Sequence, residues 1–210
     1  MLTPWGEQLD PDHPLPEHPR PQLVRENWSN LNGRWDYAIT PASASSAPES
    51  WDGEIVVPFS PEAPLSGVNR TLQPDEALWY RRTVEVQPSW SGGRVLLHFG
   101  AVDQECEVWI DGTSVGRHVG GFLPFTLDVT DQAAPGRHEL VVRVLDVTDT
   151  ASHSRGKQSL SPKGIWYSAQ SGIWQTVWLE AVPQVWVDRL DLTPRLADAS
   201  LEVTVGVHPS

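Results

Sequence analysis

Apolar and polar residues alternate with a period of two along most of the chain, and no stretch sustains a 3.6-residue stripe. Trp35, Tyr37 and Ile39 alternate with Arg34, Asp36 and Ala38; Val95, Leu97 and Phe99 share one face; Cys106, Val108 and Ile110 share another. The same alternation predicts strands at residues 54–57, 80–86, 113–117, 122–129, 140–145 and 174–179. Asp111-Gly112 supplies a two-residue hairpin turn, because both central residues of a type I′ turn need positive φ. Residues 141–145 and 175–179 are apolar on both faces, which suits central strands. Many short strands divided by Gly, Pro and Asp turns predict an all-β fold, an antiparallel sandwich.

The segments between the strands differ in kind. Residues 1–27 carry prolines at 4, 11, 14, 16, 19 and 21, a spacing that predicts no helix there. This part is expected to be an extended arm on a surface or a disordered tail. Residues 41–50, PASASSAPES, read as a flexible surface insertion. Residues 146–171 show little periodicity, and so long a loop inside a compact domain points to function. Beyond Pro183, residues 185–192 and 201–207 both read as strands. Two strands alone are marginally stable, so they are expected to begin a second β domain that is cut short.

Composition removes several functions. With 15 Lys+Arg against 27 Asp+Glu the net charge is −12, which repels phosphate backbones and anionic lipid surfaces. Neither nucleic acid nor membrane is therefore an expected partner. The one cysteine, Cys106, allows no internal disulfide and no Cys-based zinc site. The histidines show no metal-ligand spacing, so no metal and no cofactor is expected. A basic start followed by an apolar run is absent, which predicts a cytoplasmic protein. The 11 tryptophans against 4 Phe and 3 Tyr invert the usual aromatic balance. Those on predicted strands (Trp35, Trp79, Trp109, Trp174, Trp178) are expected in the core, with stacking on a sugar ring as the alternative.

Eight motifs occur in order: LNGRWD at 31–36, WYRR at 79–82, LHFGAVD at 97–103, VWIDG at 108–112, VGRHVGGFLPF at 115–125, DVT at 128–130, RGKQ at 155–158 and SGIWQTVWLE at 171–180. Together they make the chain resemble the N-terminal sugar-binding domain of glycoside hydrolase family 2, the β-galactosidase, β-glucuronidase and β-mannosidase group. The resemblance implies a galactose-binding-like jelly roll over 28–184, followed at 185–210 by the first strands of an incomplete immunoglobulin-like domain. It implies that the family's two catalytic glutamates lie on a TIM barrel outside this chain, so no residue here is expected to be catalytic. The implied partners are a β-glycoside substrate and the C-terminal domains of the same enzyme. A stand-alone carbohydrate-binding module is the alternative reading, and an interaction domain without sugar contact is a third.

Within 146–171 the expected sugar-facing or pocket-bordering residues are Arg155, Lys157, Gln158, Trp166 and Tyr167. Planar donors suit sugar hydroxyls, and aromatic faces suit the C–H side of a pyranose. Contacts with a neighbouring domain are the competing role for Arg155 and Lys157. One branch of the family places a galactose-binding carboxylate just before its SGI segment. The corresponding GIWYSAQ at 164–170 has none. Asp103 is expected either to turn the chain or to line a groove. Gly120-Gly121 are expected to make a tight bend before Phe122.

Overall fold

The computed structural model describes residues 2–208. Its strands are β1 (Trp28–Asn30), β2 (Gly33–Pro41), β3 (Gly53–Val57), β4 (Glu76–Val86), β5 (Arg94–Phe99), β6 (Val102–Asp103), β7 (Glu105–Ile110) and β8 (Thr113–Val119). They continue as β9 (Phe125–Asp128), β10 (Gly136–Leu145), β11 (Gln158–Ser159), β12 (Tyr167–Ser168), β13 (Gly172–Ile173), β14 (Val177–Val182), β15 (Trp186–Arg195) and β16 (Ser200–His208). Two antiparallel sheets face each other as a jelly-roll sandwich. One has the order β1-β14-β5-β9, the other β3-β2-β4-β10-β7-β8.

The period-two pattern explains the core. Trp35, Leu78, Tyr80, Val108, Leu140 and Val142 project inward from the six-stranded sheet and are fully buried. Leu97, Phe99, Val177 and Leu179 meet them from the four-stranded sheet. The two segments that are apolar on both faces are the central strands β10 and β14. β10 lies between β4 and β7, and β14 between β1 and β5. Asp111 and Gly112 turn the chain at φ 48° and 76°.

Both outer faces bury side chains as well. On the six-stranded sheet, Trp79, Val141 and Ala77 form a second apolar cluster with Trp51 and Trp109. On the four-stranded sheet, Trp178 and Glu180 point away from the core and lie beneath the N-terminal arm. Glu180 is fully buried. Its carboxylate accepts hydrogen bonds from Arg20 Nη2 at 2.9 Å and Arg25 Nε at 3.0 Å, and His18 Nε2 lies 3.3 Å from Oε1. His98 stacks on Trp178, and Arg20 sits over the same ring.

The proline spacing misleads in one place. Pro4–Glu7 forms one helical turn, α1, capped by Thr3. Pro4 occupies the first helical position, where a missing N–H costs nothing. The expected strand at 122–129 is also shorter: β9 starts at Phe125, and Phe122 and Leu123 stay exposed in a loop. Trp174 lies before β14 rather than on it. The last two strands pair only with each other. Trp186 anchors them against Leu96 and Val182, while beyond it most residues are exposed.

Candidate functional site

The long unpatterned segment folds into a lobe at one end of the sandwich, held by the buried carboxylate of Asp146 and the half-buried ones of Glu62 and Asp149. Asp146, just past β10, accepts hydrogen bonds from Thr148 N at 2.7 Å and Ser171 Oγ at 2.8 Å, which ties the lobe's two ends together. Glu62 accepts Ser171 N at 3.0 Å, and burial raises its pKa. Asp149 accepts Ser159 Oγ at 2.8 Å. Charge-assisted bonds to backbone and hydroxyl donors add to the short β11–β12 pairing within this segment.

Gln158 joins the lobe to the sandwich. Its Nε2 donates to Asp103 Oδ2 at 2.7 Å, and its Oε1 accepts Gln170 N at 2.7 Å. Asp103 is 3% exposed, and burial, opposed by the Gln158 hydrogen bond, pushes its pKa up to about 6. A side chain at Gly121 would overlap the Asp103 carboxylate, so the glycine is needed for this close approach as well as for the bend. Beside it opens a cleft of about 260 Å³ lined by Gln104, His118, Gly121, Phe122, Leu123 and Ser154. Gln104 Oε1 is buried there with no hydrogen-bond partner. The end of the sandwich therefore sets two buried acceptors behind the exposed Phe122 ring and Leu123, a chemistry suited to hydroxyl-bearing ligands.

The five residues singled out in the sequence take different places. Ile165, Trp166 and Tyr167 form the exposed tip of the lobe, Trp166 at 44% and Tyr167 at 66%. Lys157 Nζ stands 5.7 Å from the Tyr167 ring centroid, and Tyr167 N donates to Lys157 O at 2.8 Å. Arg155 turns back on its own loop, with Nη1 3.4 Å from Ala151 O. Gln158 is committed to Asp103. The structure thus brings Gln158 to Asp103 and Lys157 to Tyr167, and leaves Trp166 on the outside.

Gln104, Phe122 and Leu123 have no part in the site expected from sequence, and Asp103 enters it as either a turn or a groove residue. For Asp103 a signal existed: a carboxylate at the end of an apolar strand, followed in sequence by a Gly-Gly pair able to cover it. For the others there was none, since only the fold brings residues 104, 122 and 154 together.

Comparison with known proteins supplies the family. Residues 28–183 match the family described as glycosyl hydrolases family 2, sugar binding domain. A β-glucuronidase of Paenibacillus borealis is 33% identical over 135 residues, covering 61% of this chain and 22% of its own length. A β-galactosidase of Thermoanaerobacter pseudethanolicus is 28% identical over 130 residues, covering 60% of this chain and 17% of its own. Among solved structures, the β-glucuronidase of Ruminococcus gnavus superposes with a TM-score of 0.68 at 20% identity, over 90% of this chain and 34% of that one. That likeness shows the fold. The chain spans about a fifth of the length of the curated relatives it matches.

Proposed function

Because the chain belongs to the sugar-binding domain family of the family 2 glycosyl hydrolases, we propose that it is the non-catalytic N-terminal domain of a β-glycoside-cleaving enzyme. On this reading residues 1–27 are an arm, 28–184 the jelly roll, and 185–210 the start of an immunoglobulin-like domain. The loop end of the jelly roll borders the substrate pocket of a catalytic domain that lies outside this chain. Retaining hydrolysis needs two carboxyls about 5–5.5 Å apart, one to protonate the leaving oxygen and one to attack. In this proposal the catalytic domain supplies both.

The observation that carries the reading is the Asp103–Gln158 hydrogen bond beneath the exposed Ile165–Trp166–Tyr167 tip. Asp103 and Gln104 offer acceptors to sugar hydroxyls, Trp166 and Tyr167 offer ring faces, and Lys157 holds Tyr167. Arg155 shapes the lobe from within. The partners are the β-glycoside and the catalytic domain of the same polypeptide.

The test uses a polypeptide that joins this chain to the family's catalytic domain. Asp103→Asn and Trp166→Ala should each lower kcat/KM about tenfold, roughly 1.4 kcal/mol, with cooperative unfolding retained. Unchanged kinetics in both variants would remove the loop end from the pocket. Hydrolysis of aryl β-glycosides by the 210-residue chain alone would contradict the non-catalytic assignment.

A further inference from the structure

The outer face of the six-stranded sheet carries a groove that the loop-end site does not use. Strand alternation puts Glu139, Val141, Arg143 and Leu145 of β10 on this face, beside Glu105, Glu107 and Trp109 of β7. Two hollows lie along it. The first, about 280 Å³, is bounded by Ser45, Ser46, Trp79, Trp109, Glu139 and Val141. The second, about 300 Å³, is bounded by Glu105, Glu107, Arg117, Arg143 and Leu145. From Glu139 to Leu145 the strand runs six residues, roughly 20 Å at about 3.3 Å each.

The lining has two kinds of surface. Trp79 and Trp109 stack with centroids 5.8 Å apart, which fixes the Trp109 indole; Trp79 is buried beneath it and Trp109 is half-exposed. Such a ring is an apolar platform whose natural complement is the C–H face of a pyranose. Around it stand hydrogen-bonding groups with capacity to spare. Glu139 faces Arg81 only across 3.9 Å, too long for a hydrogen bond, so its carboxylate oxygens are open to hydroxyl donors. Ser45 and Ser46 add hydroxyls at the rim. Arg143 is already held, its Nη2 donating to Ala42 O at 2.6 Å and its guanidinium lying over the Trp79 ring.

Charge narrows the ligand. In the second hollow Glu107 is paired with Arg117 at 2.8 Å and accepts Ser114 Oγ at 3.0 Å. In the first, Glu139 is the charged lining residue, with Arg81 3.9 Å away, so this hollow presents no cation of its own to hold an acidic sugar. We propose that this groove binds a neutral glycan chain, with one pyranose stacked on Trp109 and its hydroxyls donating to Glu139, and further units lying along β10. The second hollow shares His118 and Val119 with the loop-end cleft, so a bound chain would run toward that cleft. Only this last orientation rests on the function proposed above; glycan binding in the groove does not.

The experiment is a titration of the 210-residue chain with neutral, soluble mixed-linkage β-glucan and xylan oligosaccharides and, separately, with glucuronate. Indole N–H resonances and calorimetry are the readouts. The neutral oligosaccharides should shift the Trp109 resonance, longer ones binding more tightly, and glucuronate should leave it unmoved. Trp109→Ala should weaken binding at least about tenfold. Glu139→Gln, an exposed substitution that leaves the aromatic stack in place, should weaken it by a smaller factor. Trp166→Ala should leave the shift of the Trp109 resonance unchanged. The proposal is overturned if no neutral oligosaccharide moves Trp109, or if binding survives both groove variants. It is also overturned if binding is lost only with Trp166→Ala, which would move the glycan to the loop end.

Discussion

Asp103 combines deep burial with a carboxyl whose pKa is raised to about 6 from an ordinary 3.8. The folded state therefore holds this proton more tightly than the unfolded chain. With respect to this group, stability is greatest below about pH 4, falls as pH rises toward 6, and stays reduced above it. Asp103→Asn keeps an acceptor for Gln158 and removes the ionisation. The gap in unfolding free energy from urea titration between variant and wild type should widen in the variant's favour from pH 4 to pH 7, by about 1–3 kcal/mol. A gap that does not change with pH would show that the proton is not held here. The tryptophans teach a related lesson. Periodicity assigned Trp35, Trp79 and Trp178 to one side of a strand, and all three are buried. It could not tell that Trp178 faces away from the main core and is buried only because the arm covers it. Trp109 and Trp174 share the same pattern, yet both remain half-buried beside hollows.

Among the elements, the arm depends most on a single group. Glu180 gathers Arg20, Arg25, His18 and His98 beneath residues that otherwise have little apolar surface. Burial disfavours its charge, but the hydrogen-bonded cations and His98 win and hold the carboxyl well below the usual range. Removing one partner of a buried ion cluster typically costs about 3–5 kcal/mol. Glu180→Gln should cost about that much and let trypsin cut at Arg25 at least tenfold faster, a change limited digestion would detect. A cut rate equal to wild type would mean that the arm is held by other contacts. Acid should act in the same direction. A depressed carboxyl stabilises above its unfolded pKa of 4.5 and loses that contribution as pH falls further. Burial also lowers the His98 pKa, so charging it below about 6.5 adds a second penalty. Digestion at Arg25 by an acid-tolerant protease should therefore accelerate between pH 6 and pH 4. None of this was legible in advance: a proline-rich stretch announces extended chain, and only the fold brings Arg20 within reach of a carboxylate 160 residues away. The sandwich strands were legible, because most of them bury one face or both and the pattern records which.

Over the whole molecule, packing is uneven. β4, β10 and β14 are buried on both faces, whereas β15 and β16 touch the sandwich mainly through Trp186 and through Arg25 Nη2, which donates to Val187 O at 2.6 Å. A two-stranded ribbon is marginal on its own. Backbone amides from Arg189 to Val207 should exchange with solvent orders of magnitude faster than those of Val142 or Leu179, readable by hydrogen–deuterium exchange. Equal protection would mean that the ribbon unfolds only with the sandwich. The loop-end site follows the same logic at larger scale, since its residues come from the ends of β5–β10 and the lobe, which sequence places far apart.

The pairing of Trp28 with Glu180 in β1 and β14, with the arm locked over the same strand, also sets an order in time. A ribosome delivers the arm first, at about 5–20 residues per second, so its partner follows roughly 8–30 s later. Until then the arm lacks its Glu180 anchor and has only the nearby contacts from Asn30, Asn32 and Arg34, and the four-stranded sheet lacks one of its two central strands. The six-stranded sheet is complete once Leu145 has emerged, apart from the arm's own partners. The nascent protein therefore passes through a half-built stage in which Leu97 and Phe99 stand open, and the last strand of the sandwich to appear is the one that shuts it.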